Sequence, residues 1–131
     1  MNTKTPHRRW PCTTLATAAI LILSLAPIPD NPPLDDVPFI DKWVHFIIYG
    51  ALTCATWLDR HIRHRQTSRL RFAFIALLYA IVIGALTEIL QSLTAYRSGE
   101  WLDFLADCFG AFLATLLCLP LSQWADHRAN G

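Results

Sequence analysis

Four long apolar runs dominate the sequence, and most of the charged residues lie outside them. The runs cover residues 13–28, 39–58, 72–94 and 102–121. A helix that crosses a bilayer needs about 20 mostly apolar residues, so the last three runs are long enough and the first is short. A soluble domain of 131 residues has too small an interior to bury all four. The pattern therefore predicts an all-α membrane protein with four transmembrane helices in a compact bundle.

The composition excludes two other classes of protein. Apolar residues make up 53% of the chain and charged residues only 16%, whereas disordered chains are poor in apolar residues and rich in charge. The net charge of +1 also lacks the basic excess of a nucleic-acid-binding domain. We therefore expect membrane lipid as a partner and no nucleic acid. The composition leaves the oligomeric state open.

The first run also has features of a secretory signal peptide, because Arg8 and Arg9 precede its apolar core. Ser24 and Ala26 are small residues with the spacing of a cleavage site, but Pro27 follows the candidate bond and disfavours cleavage. We therefore predict that the first helix is retained. The predicted organisation is an N-terminal tail over 1–12, a four-span membrane domain over 13–121 and a C-terminal tail over 122–131.

Basic residues set the predicted orientation, because Lys and Arg concentrate in the cytoplasmic segments of membrane proteins. The N-terminal tail has three of them and no acid, and the connection 59–71 has five arginines against Asp59 alone. The connection before the second span carries instead Asp30, Asp35 and Asp36. We therefore expect both termini to be cytoplasmic.

The tryptophans agree with these spans. All five fall near a predicted span end, at Trp10, Trp43, Trp57, Trp101 and Trp124. Tryptophan is enriched at membrane–water interfaces, so we expect these rings at the level of the lipid headgroups.

Polar residues within the spans lie near the predicted outer ends of spans two, three and four. Most are three or four residues apart within a span, so they share one helix face. They are Asp41, Lys42, His45 and Tyr49 in the second span, Glu88 and Gln91 in the third, Arg97 in the next loop, and Asp103 and Asp107 in the fourth. A charged side chain facing lipid costs about 3 kcal/mol. We therefore predict that these residues face one another in a polar pocket that opens outward.

The predicted pocket has more acidic than basic groups. Four carboxylates oppose Lys42 and Arg97, and His45 adds a third positive charge only when protonated. A retained proton, a divalent cation held by His, Asp and Glu, or a cationic or hydrogen-bonding ligand would each balance the charge, and the sequence specifies no cofactor or metal. We expect Glu88 near His45, and Asp107 near Lys42 or Arg97, since each needs a partner at that depth.

These residues resemble the VanZ-like family of small polytopic bacterial membrane proteins. The family pattern D-K-x-x-H followed by an aromatic residue is similar to residues 41–45 and Tyr49, and its E-x-x-Q pattern to residues 88–91. Further family positions correspond to Gly84, Arg97, Asp103 and Gly110. The chain departs from the family at Asp107, where the pattern usually has asparagine. The resemblance covers residues 29–121 and implies a multi-pass protein of the bacterial cytoplasmic (inner) membrane.

The resemblance also implies a function at the cell envelope, since the founding member of the family is associated with resistance to the glycopeptide teicoplanin. We expect the pocket to bind a lipid headgroup or a cell-envelope precursor, with Arg97 as the contact for an anionic group. One alternative is an intramembrane hydrolase or transferase that uses His45 and Glu88 as its acid–base pair. The sequence has no G-x-S-x-G or H-E-x-x-H motif. A structural or assembly protein is the other alternative.

Overall fold

The computed structural model describes residues 9–27, 37–65 and 67–131, which form four helices. Their bounds are Pro11–Leu25 for α1, Ile40–Arg63 for α2, Arg69–Ser92 for α3 and Trp101–Asn130 for α4. The all-α prediction is therefore confirmed for the described part of the chain. Residues 1–8 of the predicted N-terminal tail, and Asp30, Asp35 and Asp36 of the acidic connection, lie outside the described residues.

All four helices extend past their apolar runs at the same end of the bundle. We call this the basic end, because it contains Arg60, Arg63, Arg65, Arg69 and Arg71. The largest extension is that of α4, which continues through Pro120 to Asn130. The predicted C-terminal tail, 122–131, is thus helical over nearly its whole length. Hydropathy marks the part of a helix that suits lipid, and a polar sequence can continue the same helix beyond it.

Length and composition make α3 and α4 candidates for crossing a membrane. The apolar helix α1 has only 15 residues, and α2 is long but more polar. Large apolar side chains are nevertheless exposed on all four helices, among them Leu15, Ile47, Phe74 and Phe112. More polar than apolar residues are buried in the described part of the chain. Large exposed apolar surfaces are rare on soluble monomers, so this distribution favours a membrane environment.

Glycine allows α2 and α4 to pack closely against each other. Gly110 of α4 lies against the backbone of Phe46 in α2, and a Cβ at position 110 would collide with the Phe46 carbonyl oxygen. A Cβ added at Gly50, in contrast, would lie 3.5 Å from the carbonyl oxygen of Gly110, which is an ordinary contact. Small residues permit such close approach of helices in membranes. Gly110 therefore sets the distance between the two helices.

We expect Gly110→Ala to destabilise the protein, because overpacking costs about 1–3 kcal/mol and exceeds the gain of about 1 kcal/mol in helix propensity. Gly50→Ala is the matched control and should be neutral or slightly stabilising. Thermal unfolding of the detergent-purified variants checks the prediction. Equal midpoints for the two variants would contradict the close contact.

Asp59 of α2 caps the first helix. Its carboxylate accepts hydrogen bonds from the backbone N–H groups of Cys12, at 3.2 Å, and Thr13, at 2.8 Å, and from the Thr13 hydroxyl at 2.9 Å. The first N–H groups of a helix have no partner within the helix, and negative charge there also interacts favourably with the helix dipole. The side chain of Asp59 is fully buried. It therefore fixes the start of α1 against the end of α2.

The environment of Asp59 makes its contribution depend on pH. Burial alone would raise its pKa, but the hydrogen bonds from Thr13 and Cys12 outweigh burial and hold the pKa below its ordinary value of 3.8. A lowered pKa in the folded state means that folding stabilises the carboxylate. This stabilisation is complete well above pH 3.8 and is lost as the pH falls through the lowered pKa.

We expect Asp59→Asn to lower the free energy of unfolding at pH 7 by about 1–3 kcal/mol, because the N–H groups of Cys12 and Thr13 lose a charged acceptor. The variant should also lose the part of the acid sensitivity that comes from Asp59. Chemical unfolding in detergent at pH 7 and near pH 3 measures both effects. Asp41→Asn is the control at pH 7, since the side chain of Asp41 is 52% exposed. An equal loss in the two variants at pH 7 would contradict the capping role.

Candidate functional site

At the end of the bundle opposite the basic end, Lys42 joins the starts of α2 and α4. Its ammonium nitrogen lies 2.9 Å from a carboxylate oxygen of Asp41, 3.1 Å from one of Glu100 and 3.0 Å from one of Asp103. Glu100 precedes the first residue of α4, whereas Asp103 lies in its first turn. Three acids therefore share one cation. Glu100 was not among the predicted pocket residues, although its spacing of three from Asp103 places it beside that residue.

About one helical turn deeper, His45 contacts carboxylates from two other helices. Its Nδ1 is 2.8 Å from Oδ1 of Asp107, a hydrogen-bond distance, and 3.7 Å from Oε1 of Glu88. Its Nε2 is 3.7 Å from Oδ2 of Asp103. All four side chains are at most 11% exposed. The structure thus brings together these four predicted residues from α2, α3 and α4, which we call the His45 cluster.

The partner of Asp107 differs from the expected one. Within the described residues its carboxylate pairs with His45 and not with Lys42 or Arg97. The reason is depth, because α2 and α4 both begin at this end of the bundle and run in the same direction. Lys42 therefore lies level with Asp103, in the first turn of α4, and His45 lies level with Asp107, one turn further in.

Two carboxylate oxygens in the His45 cluster have no hydrogen-bond donor among the described residues. They are Oε1 of Glu88 and Oδ2 of Asp107. The other oxygen of Glu88 accepts from the backbone N–H of Glu100 at 2.9 Å. Gly84 of α3 packs against Asp107, and a Cβ added at position 84 would lie only 3.0 Å from Oδ2 of Asp107. A buried acceptor without a donor is costly, so a proton, a cation or a ligand donor would complete the cluster.

One part of the cluster has the donor set of a metal site. His45, Glu88 and Asp107 each offer one ligand atom, and these atoms lie within 4.8 Å of one another. A set of one imidazole and two carboxylates suits divalent transition metals. Asp41, Glu100 and Asp103 form a second such group, but the ammonium of Lys42 already provides the cation for these three acids.

Tyr49 and Gln91 are buried but make their hydrogen bonds elsewhere. The Tyr49 hydroxyl is 2.8 Å from the Thr87 hydroxyl, which links α2 to α3 one turn below His45. The Gln91 amide donates to the backbone carbonyl of Ser24 at 3.0 Å and so holds the end of α1. The spacing of Gln91 from Glu88 predicted a shared face but could not predict that α1 packs there. Neither Thr87 nor Ser24 carries a sequence signal that would have singled it out.

Arg97 lies beside a cavity of about 240 Å³ that reaches His45. Ser24 of α1 and Tyr49 of α2 line the same cavity, together with apolar side chains. The Nε of Arg97 is buried and has no hydrogen-bond partner among the described residues. His45 therefore contacts three carboxylates and also lines a cavity that it shares with Arg97.

The sequence profile of the VanZ/LLP1 family matches residues 6–123. The chain belongs to the VanZ/LLP1 family. Curated proteins and solved structures gave no match. The resemblance found in the sequence motifs is thus confirmed, and VanZ/LLP1 membership together with the apolar helices supports a membrane protein.

Proposed function

We propose that this VanZ/LLP1 protein crosses the bacterial cytoplasmic membrane four times, with both termini in the cytoplasm. The exposed apolar side chains on all four helices support insertion of the whole bundle. The start of α1, the end of α4 and the five arginines of the 59–71 connection lie at one end. The positive-inside rule assigns such an end to the cytoplasm. The His45 cluster and Arg97 then face the outer leaflet.

The proposed function of this site is to bind the polar headgroup of an envelope lipid or cell-envelope precursor. One observation carries the proposal: a buried acceptor beside His45, Glu88 Oε1, and a buried donor at the same cavity as His45, Arg97 Nε, lack partners among the described residues. A ligand with an anionic group and a hydroxyl or ammonium group would give both atoms a partner, since the anionic group accepts from Arg97 and the other group donates to Glu88. Arginine suits the anionic group, because its guanidinium donates two parallel hydrogen bonds to a carboxylate or phosphate.

Binding of this kind connects the protein to glycopeptide susceptibility. Teicoplanin acts on the peptide end of a cell-wall precursor at the outer face of the membrane, where the proposed site opens. A protein that holds the precursor or its lipid carrier would change how much of the target is accessible. An effect on teicoplanin susceptibility is therefore the proposed cellular outcome.

The pairing of His45 with Asp107 favours one alternative, an intramembrane hydrolase or transferase. A carboxylate that holds one imidazole nitrogen orients the ring for proton transfer, and Glu88 lies close enough to take part. Within the described residues, however, the hydrogen bond of His45 goes to Asp107 and not to a serine or cysteine nucleophile. An enzyme at this site would therefore need water or the ligand itself as the nucleophile. Turnover of a bound precursor by the purified protein would favour this alternative over binding alone.

Cysteine labelling tests the proposed topology. In a background without the four native cysteines, we expect a membrane-impermeant thiol reagent to label intact cells with Ser98→Cys or Asp35→Cys. Gln66→Cys should react only after the membrane is permeabilised, since it lies in the arginine-rich connection. Efficient labelling of Gln66→Cys in intact cells would contradict the orientation and the outward opening of the pocket.

Native mass spectrometry of detergent-extracted protein tests the binding site. We expect the wild type to retain a lipid or precursor, and Glu88→Gln and Arg97→Gln to lose it while keeping normal abundance and unfolding temperature. Each change removes one of the two charged side-chain groups that are proposed to bind the ligand. Glu100→Gln is the matched control, because its carboxylate is 48% exposed and faces Lys42.

Variants at positions 88 and 107 separate a functional role from a structural one in cells. Glu88→Gln should abolish any effect of expression on teicoplanin susceptibility. Asp107→Asn should preserve it, since the family pattern has asparagine there. If Glu88→Gln retains both ligand and phenotype while Glu88→Ala only lowers abundance, the His45 cluster is structural and the proposed binding function is wrong.

A further inference from the structure

A second polar cavity lies at the basic end of the bundle, far from the His45 cluster along the helices. It has a volume of about 480 Å³ and is bounded by the end of α2, the start of α3 and the end of α4. Arg60, Arg65 and Arg69 line it, and Asp126 is the acidic residue among the lining side chains. The cavity therefore combines three permanent positive charges with one carboxylate.

Asp126 alone cannot neutralise all three arginines of this cavity. Its carboxylate oxygens lie 3.5 Å from Arg60, 3.3 Å from Arg69 and 4.0 Å from Arg65. Good charge-assisted hydrogen bonds between guanidinium and carboxylate are about 2.7–2.9 Å long. The carboxylate is thus shared at long distance, and about two positive charges remain uncompensated among the cavity's described lining residues.

Arg60 is held in place before any ligand binds. Arg60 is only 2% exposed, and one terminal nitrogen of its guanidinium donates to the backbone carbonyl of Thr67 at 2.8 Å. The guanidinium carbon also lies 5.7 Å from the ring centre of Trp57 and 5.9 Å from that of Phe72, within the range of cation–π attraction. Its Nε is buried and has no hydrogen-bond partner among the described residues. A buried arginine with unused donor capacity indicates a site that is completed by an acceptor.

The start of α3 adds backbone donors to the same cavity. Ser68 and Arg69 line the cavity, and the Ser68 side chain makes no capping hydrogen bond to the helix. The first N–H groups of a helix lack partners within it, and together with the helix dipole they favour phosphate and other anions. Leu70, which also lines the cavity, is 76% exposed. A charged cavity therefore borders directly on an exposed apolar surface.

We propose that this cavity binds a phosphate group, taken either from the headgroup of an anionic phospholipid or from free phosphate. Three arginines and a helix N-terminus provide the charge and donors for a phosphate, and Leu70 provides an apolar contact beside it. Basic pockets between helices on the cytoplasmic side bind anionic headgroups in membrane proteins. The site uses none of the residues of the His45 cluster, so it does not depend on the function proposed there.

Three variants test the site through its charges. We expect Arg69→Gln to weaken binding about tenfold, because it removes a charge-assisted hydrogen bond. Asp126→Asn should strengthen binding, since it removes the carboxylate that competes with phosphate. Arg71→Gln is the matched control, because it makes the same change on an exposed side chain of the same helix that does not line the cavity.

The measurement is the rise in unfolding temperature of the purified full chain in detergent on titration with each probe. The probes are phosphatidylglycerol in mixed micelles, phosphatidylcholine in mixed micelles, and inorganic phosphate. A rise in unfolding temperature with phosphatidylglycerol alone supports a lipid headgroup site. The rise should be largest for Asp126→Asn, intermediate for the wild type and Arg71→Gln, and smallest for Arg69→Gln. The same order with inorganic phosphate assigns the site to free phosphate.

Two outcomes would overturn the proposal. One is the absence of any rise with phosphatidylglycerol or phosphate in the wild type. The other is equal weakening by Arg69→Gln and Arg71→Gln, which would mean that general surface charge and not the cavity attracts the anion. Unfolding temperatures without ligand establish that each variant is folded, and Asp126→Asn gives a gain in binding that a damaged fold would not produce.

Discussion

The close approach of α2 and α4 at Gly110 determines the geometry of the His45 cluster. Gly110 packs on the backbone of Phe46, the residue that follows His45. Asp107 lies three residues before Gly110, on the same face of α4. Because the backbones touch at this point, a short aspartate side chain can reach the imidazole at 2.8 Å. A wider helix pair would leave both groups buried without their main partner.

The two ends of the bundle have opposite charge character, and each uses charge to join helices. At one end the ammonium of Lys42 is shared by acids of α2 and α4. At the basic end Asp59 holds α1 against α2, and Asp126 brings α4 near the arginines of α2 and α3. Between them, many large apolar side chains face outward, and many of the buried residues have small or hydroxyl side chains, as at Thr87. In lipid this distribution places the polar contacts between the helices and away from the apolar surroundings.

Helical periodicity predicted which residues share a helix face, and this part of the site can be predicted from the sequence alone. His45 and Asp107 each follow an acid at a spacing of four, and their helices enter the bundle at the same end. Depth could not be assigned with the same accuracy, because the partner of Asp107 depends on the packing of Gly110 against Phe46. The position of Gln91 depends on α1, because its amide donates to the backbone carbonyl of Ser24, and a backbone carbonyl leaves no mark in the sequence.

Charge was a poor guide to burial at the basic end. Asp59 and Arg60 follow the second apolar run and fall in the predicted connection between spans, but both are almost fully buried. Trp57 and Trp10 are expected at the headgroup level, and within the bundle Trp57 is 5% exposed and both rings pack near Phe72. Trp43, Trp101 and Trp124 are exposed. Hydropathy and residue type describe the preference of one side chain, whereas these positions are decided by contacts between helices.

The difference between this chain and the VanZ-like sequence pattern falls on a single atom of the site. An asparagine at position 107 could accept from His45 through its Oδ1, as Asp107 does. The other terminal atom would then be an amide nitrogen, a donor, where Asp107 has the acceptor Oδ2. This Oδ2 lies against Gly84 and has no donor among the described residues. Because the two side chains have nearly the same shape, the change affects the charge of the pocket and not its packing. The aspartate therefore gives this protein a site more suited to a cation or a donor-rich ligand than the asparagine of the family pattern.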